Sequence, residues 1–294
     1  AIPWARPIGL PPREMDPLVG FRPLPMISTA KAWIALGITV GLLVLTLVVL
    51  PTALYLGAYF AVGAPAAPDW QPPMSPFLLL LKGLSALIVV MTLIPLARSW
   101  RIPLREFGLH TNSIEKQLLW AIPTLIGVYI AMIGIGIPLA YFLVQTGQES
   151  ELKHRVDFVQ ALELQTPWMT VLAMLFVAIH EELLFRGMAI PILRRLGLPA
   201  WAAVIVVSAA FGALHFEQGW SGMLQIGGVA VALGVAFVLT RTLIGVILAH
   251  ASFNVLGTIM AEFMAPYFED LPTTAPAASQ AASQAVGAIM MLFG

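Results

Sequence analysis

Long apolar stretches at about 33–60, 76–97, 117–144, 167–192, 199–216, 221–240 and 242–264 dominate the chain, and they leave few ways for it to fold. A helix needs about 20 apolar residues to cross the hydrocarbon of a bilayer, and each stretch meets that length to within a few residues. Only 10% of the 294 residues are charged, whereas 59% are apolar. A soluble domain carries roughly 25% charged residues, so the bilayer has to be the main solvent. Lipid offers the backbone no hydrogen bonds, which confines the spans to helices or a closed barrel. The expected fold is all-α, a polytopic transmembrane helical bundle of seven to eight spans. The expected location is an integral, multi-pass one, in the cell (inner) membrane if the source is a bacterium.

Charge placement divides the chain further. Residues 1–31 are Pro-rich, mixed in charge and too polar for a signal peptide, and read as a cytoplasmic lead segment. Residues 32–264 form one membrane domain. Residues 265–294 form a tail, whose end "AASQAVGAIMMLFG" is too short to cross and reads as an interfacial helix or half-span. Arg6, Arg13, Arg22 and Lys31 precede the first stretch, Arg98, Arg101, Arg105 and Lys116 follow the second, Arg194 and Arg195 the fourth, and Arg241 the sixth. Lys153 and Arg155 stand alone on the opposite side, in the loop 146–167. Basic loops are cytoplasmic, so the N-terminus is expected inside. The net charge of zero gives no reason to expect a nucleic-acid partner. With no cysteine, thiol chemistry is absent. Pro51 is expected to kink the first span, while Gly134, Gly136 and Pro138 loosen the third. Trp33, Trp70, Trp100, Trp168 and Trp220 lie near segment ends and read as interface anchors.

The fourth stretch contains "HEELLFRG", residues 180–187. A charge at mid-membrane costs about 2.5–3.5 kcal/mol on insertion scales, so Glu181, Glu182 and Arg186 must face protein. Glu182 and Arg186 are four apart and can neutralise each other. Glu181 is turned about 100° away and is left to handle protons. Two later segments add "FGALH", with Phe211 and His215, and "HASFN", with His250 and Asn254. Glu181 and His215 lie about 24–27 Å along their helices on either side of the turn at Gly197, and so at one depth. His250 follows Arg241 by only about 14 Å of helix, which fits the others only if that turn is drawn inward. A carboxylate and an imidazole can deprotonate a water, and a second imidazole with an amide can stabilise an oxyanion. Peptide hydrolysis would use both.

In this order, Glu181, Glu182 and Arg186, then Phe211 and His215, then His250 and Asn254 resemble the EExxxR, FxxxH and HxxxN/B motifs of the CPBP intramembrane proteases. These are relatives of the type II CAAX prenyl endopeptidases and of bacteriocin-processing proteins. The resemblance covers 180–254, with a weaker echo in "LREFGLH" at 104–110. It implies about eight helices and an endopeptidase acting on a membrane-associated protein or peptide. In that scheme Glu181 and His215 activate the water, His250 and Asn254 hold the oxyanion, and Glu182 and Arg186 fix the helix. One departure is that "TRTLIGVILAH" lacks the Gly-Ser and Pro usual before the third motif.

Rival readings stand beside this one. "HEELL" has Leu184 where a zincin needs its second His, so His180 reads as a packing residue. A zinc held by Glu181, His215 and His250 from three helices is chemically sensible. The histidines could instead ligate haem or a pigment, although the paired glutamates suit that poorly. A non-catalytic membrane scaffold or assembly subunit, binding partner proteins with the same fold, is the main alternative. Lys82, inside the second stretch, is expected to snorkel or pair.

Overall fold

A computed structural model describes residues 27–61, 74–110, 113–148, 150–152 and 167–269. The Pro-rich lead up to residue 26, most of the loop 146–167 and the tail from 270 lie outside the described residues. All the regular structure described is helical. We number the helices α1 (Thr29–Ala61), α2 (Met74–Ser99), α3 (Ile114–Gln145), α4 (Pro167–Arg195), α5 (Ala200–Ala213), α6 (Gly219–Thr240) and α7 (Leu243–Glu269). Among the described residues six helical segments are long and apolar enough to cross a membrane. The stretch expected as a fifth span, 199–216, is the exception. Its helix α5 has 14 residues, about 21 Å of rise against a hydrocarbon core of roughly 30 Å. Pro199 caps it at one end, and at the other Leu214 and His215 lead into a 3-10 turn, Phe216–Gln218, and to Gly219 at φ +76°.

α4 is the most enclosed of the spans. It packs against α2 and α7, and its C-terminal half against α1, while α6 lies between α5 and α3. Leu184, Met188, Ile190, Leu233, Phe237 and Leu243 are shut away in this core. The outward faces of α1 and α3 show Val48, Phe60, Ile126 and Ile130, apolar side chains suited to lipid. Close approach of α5 and α6 depends on Gly212, where an added Cβ would lie 2.5 Å from the Met223 carbonyl oxygen and 3.0 Å from the Gly227 Cα. Among the expected anchors, Trp33, Trp168 and Trp220 are exposed, and Trp100 lies beneath the Lys31 ammonium at 5.7 Å.

Two helices contain a widened, π-helical stretch, Leu45–Val49 in α1 and Leu183–Ala189 in α4. Each ends two residues before a proline, Pro51 and Pro191. A proline has no N–H and its ring crowds the carbonyl four residues back, and a widened turn relieves that crowding without breaking the helix. In the first span Pro51 thus accompanies a widened turn, and the helix continues through it. Pro138 sits inside α3 in regular helix.

The turn between α6 and α7 is drawn into the protein. Thr242 and Leu243 are buried, Arg241 takes a left-handed conformation at φ 55°, and the Leu243 N–H donates to the Gly108 carbonyl at 3.0 Å. Gly108 belongs to the "LREFGLH" segment, which forms a short 3-10 turn, Leu104–Phe107. Its φ of +76° and the Phe237 ring, 2.7 Å from any added Cβ, both exclude a side chain there. Gln117, at the start of α3, completes the clasp by donating to the His110 carbonyl at 3.0 Å and accepting from the Thr242 hydroxyl. The upstream echo thus seats the inward turn that sets the depth of His250.

Candidate active site

The π-helical stretch begins immediately after Glu182, so the helix widens between the two members of the Glu182–Arg186 pair. They still meet, with Arg186 Nη1 donating to Glu182 Oε1 at 2.8 Å and both side chains fully enclosed. Arg186 Nη2 donates to the Ala230 carbonyl of α6 at 2.9 Å, which ties α4 to α6. The same Glu182 oxygen lies 2.7 Å from His250 Nδ1 on α7. A carboxylate only accepts, so this contact sets His250 with its proton on Nδ1. Glu182 thereby joins two helices and aims the opposite ring nitrogen.

That nitrogen, His250 Nε2, faces Glu181 Oε2 at 3.8 Å. The gap is too long for a direct hydrogen bond, and a water lying beside it can reach both atoms. Glu181 is 8% exposed. Its electrostatic neighbours are His250 from α7, Lys82 from α2, His215 from the end of α5 and His180 beside it.

His215 arrives at this level because α5 is short. It lies about 21 Å from the Arg195–Ala200 connection, as Glu181 does along α4, at about 1.5 Å per residue. Its Nδ1 stands 2.8 Å from the Phe211 carbonyl and donates to it, leaving Nε2 as the acceptor. The Phe211 ring fills the space between helices, with centroids 4.9 Å from Phe185, 4.7 Å from His215 and 6.1 Å from His250. The Arg186 guanidinium lies 4.9 Å from its centroid, a cation–π contact.

The structure thus brings Glu181, Glu182, Arg186, His215 and His250 together around Phe211. Asn254 is one turn beyond His250 on the same face of α7 and half-buried, and no hydrogen bond joins its side chain to the other five. His180 faces away from them. Its Nε2 is 2.8 Å from the Thr46 hydroxyl, which itself donates to the Leu42 carbonyl at 2.7 Å. Sequence reasoning paired Glu182 with Arg186 and missed its bond to His250, since nothing in a spacing of 68 residues signals that contact. It also missed the Ala230 carbonyl, as any residue type could supply it.

Among the described residues no three His, Asp or Glu side chains are arranged to hold a metal ion. With His250 Nδ1 held by Glu182 and His215 Nδ1 by its own helix, each ring keeps Nε2 as the nitrogen that a metal would take.

Fold and cluster together define an integral membrane protein of the helical-bundle type with an enclosed acid–imidazole site. Residues 163–256, about a third of the chain, match the family model described as Type II CAAX prenyl endopeptidase Rce1-like. The match spans α4 to α7 and every residue of the cluster, and it bears out the resemblance to the CPBP intramembrane proteases. No curated protein and no solved structure matches the chain.

Proposed function

We propose that the protein is an intramembrane endopeptidase that hydrolyses a peptide bond of a membrane-associated protein or peptide, with Glu181 as the base that activates the water. The observation that supports this most directly is the 3.8 Å approach of Glu181 Oε2 to a His250 nitrogen whose ring is aimed by Glu182. A water between Glu181 and His215 Nε2 loses its proton to Glu181 as its oxygen attacks the scissile carbonyl. The negative charge moves to the carbonyl oxygen. There it takes hydrogen bonds from the Asn254 amide and from protonated Nε2 of His250, whose ring Glu182 aims. Glu181 then passes the proton to the amide nitrogen and the C–N bond breaks. Arg186 and Glu182 touch no reacting atom and act as positioning residues.

In purified protein in lipid nanodiscs, Glu181→Gln is expected to lower turnover at least a thousandfold while leaving the fold intact by thermal unfolding. Unchanged turnover would remove the mechanism. Zinc held by Glu181 and the Nε2 atoms of His215 and His250 is the rival reading of the same residues. Metal analysis and chelator treatment of the same sample test this, and a metal-free, fully active preparation is expected.

A further inference from the structure

Lys82 is a cation inside an apolar span, about 9 Å along the helix from Pro76 at about 1.5 Å per residue. Such a residue is expensive without a partner and marks function by default. It shares the face of α2 that carries Ser85, Ala86 and Val89, all buried, toward α4. Gly83, its neighbour, meets the Phe176 ring of α4 at a Cβ distance of 3.6 Å. Glu181 is then only five residues, about 7.5 Å, further along α4, most of which a lysine side chain can cover. The ammonium interacts electrostatically with Glu181 and His180, yet it makes no hydrogen bond or ion pair among the described residues. Each of the other groups near Glu181 already has a contact of its own, and His250 also faces Glu181 through Nε2. Arg186 holds Glu182 and Ala230, His250 holds Glu182, and His180 holds Thr46.

Building on the endopeptidase reading, we propose that Lys82 binds an oxyanion of the substrate close to the bond that is cut, and that this oxyanion is a carboxylate of the peptide chain. An ammonium with unused donors, half-buried beside the attacking group, compensates a carboxylate that an apolar site would otherwise exclude. A lipid phosphate offers similar chemistry, but it belongs at the interface, and Lys82 stands deeper than the helix end.

The test uses the full chain carrying Glu181→Gln, so that binding is read without turnover. The probe is an N-palmitoylated Leu/Ala peptide ending in a free carboxylate, with its carboxamide twin, and the nanodiscs are phosphatidylcholine alone or with one-third phosphatidylglycerol. The carboxylate form is expected to bind at least tenfold more tightly than the carboxamide. Lys82→Met should abolish that ratio and Lys82→Arg should keep most of it. Equal binding of the two forms, binding of neither, or a ratio indifferent to Lys82→Met overturns the proposal. So does a Lys82 effect that appears only with phosphatidylglycerol, which would assign the lysine to lipid. Failure of the native protein to cleave any peptide would instead count against the hydrolase, while the binding ratio still decides on Lys82.

Discussion

Glu182 accepts from Arg186 and His250 through one oxygen, and its other oxygen and the Arg186 Nε have no partner among the described residues. A buried ionic network in that condition is sensitive to the loss of any member, because each loss strands a charge. Glu182→Gln and Arg186→Met are each expected to destabilise the fold by about 3–5 kcal/mol, seen as a lowered midpoint of thermal unfolding. The double variant should lose clearly less than the sum, since it leaves no unpaired charge. Additive losses would mean that the pair is not coupled in the way its 2.8 Å contact indicates. The residue scale was also where the sequence said most. Three polar clusters in otherwise apolar helices could be sorted into a pair, a lone carboxylate and two imidazoles from cost and spacing alone. The bond from Glu182 to His250 was not legible, because contacts between helices depend on rotation about their axes.

Among the elements, the widened turn of α4 has a visible cause in Pro191. A proline alone is no signal for it, since Pro95 and Pro138 lie in helices that stay regular. What distinguishes Leu183–Ala189 is that Arg186 within it bonds to α6 and Gly187 leaves room for Leu243, where an added Cβ would lie 3.0 Å from its side chain. Pro191→Ala restores an N–H and removes the crowding, and so favours regular helix. That would rotate Arg186 relative to Glu182 and disturb the aim of His250. A roughly tenfold fall in kcat with unchanged or raised thermal stability is expected, measured on one preparation. A variant with native kcat would show that the widened turn is incidental to catalysis. The short α5 was likewise hidden from hydropathy, which scored 199–216 as apolar without marking where the helix stops. Only the turn residues after Ala213 end it, and the consequence is an imidazole at the depth of the carboxylate.

For the whole molecule, the burial pattern and the distribution of basic residues agree on how the bundle lies in its membrane. α4 is enclosed by α1, α2 and α7, which places the site among helices within the bundle. The basic ends, Arg101 after α2, Arg195 after α4 and Arg241 after α6, fall on one face when α5 and α6 form a hairpin that returns to its starting side. Gly147 after α3 falls on the other. The chain has no cysteine, so single cysteines can be introduced against a silent background. Arg101→Cys and Arg195→Cys in sealed, right-side-out vesicles are expected to react with an impermeant maleimide only after permeabilisation, and Gln148→Cys before it. Labelling of Arg195→Cys from outside would invert α4 and break the agreement between charge bias and helix order. Labelling of all three from one side would mean that neither α3 nor α4 crosses. In either case the equal depth of Glu181 and His215 would survive, because both are measured from the same connection at Arg195–Ala200 and move with it.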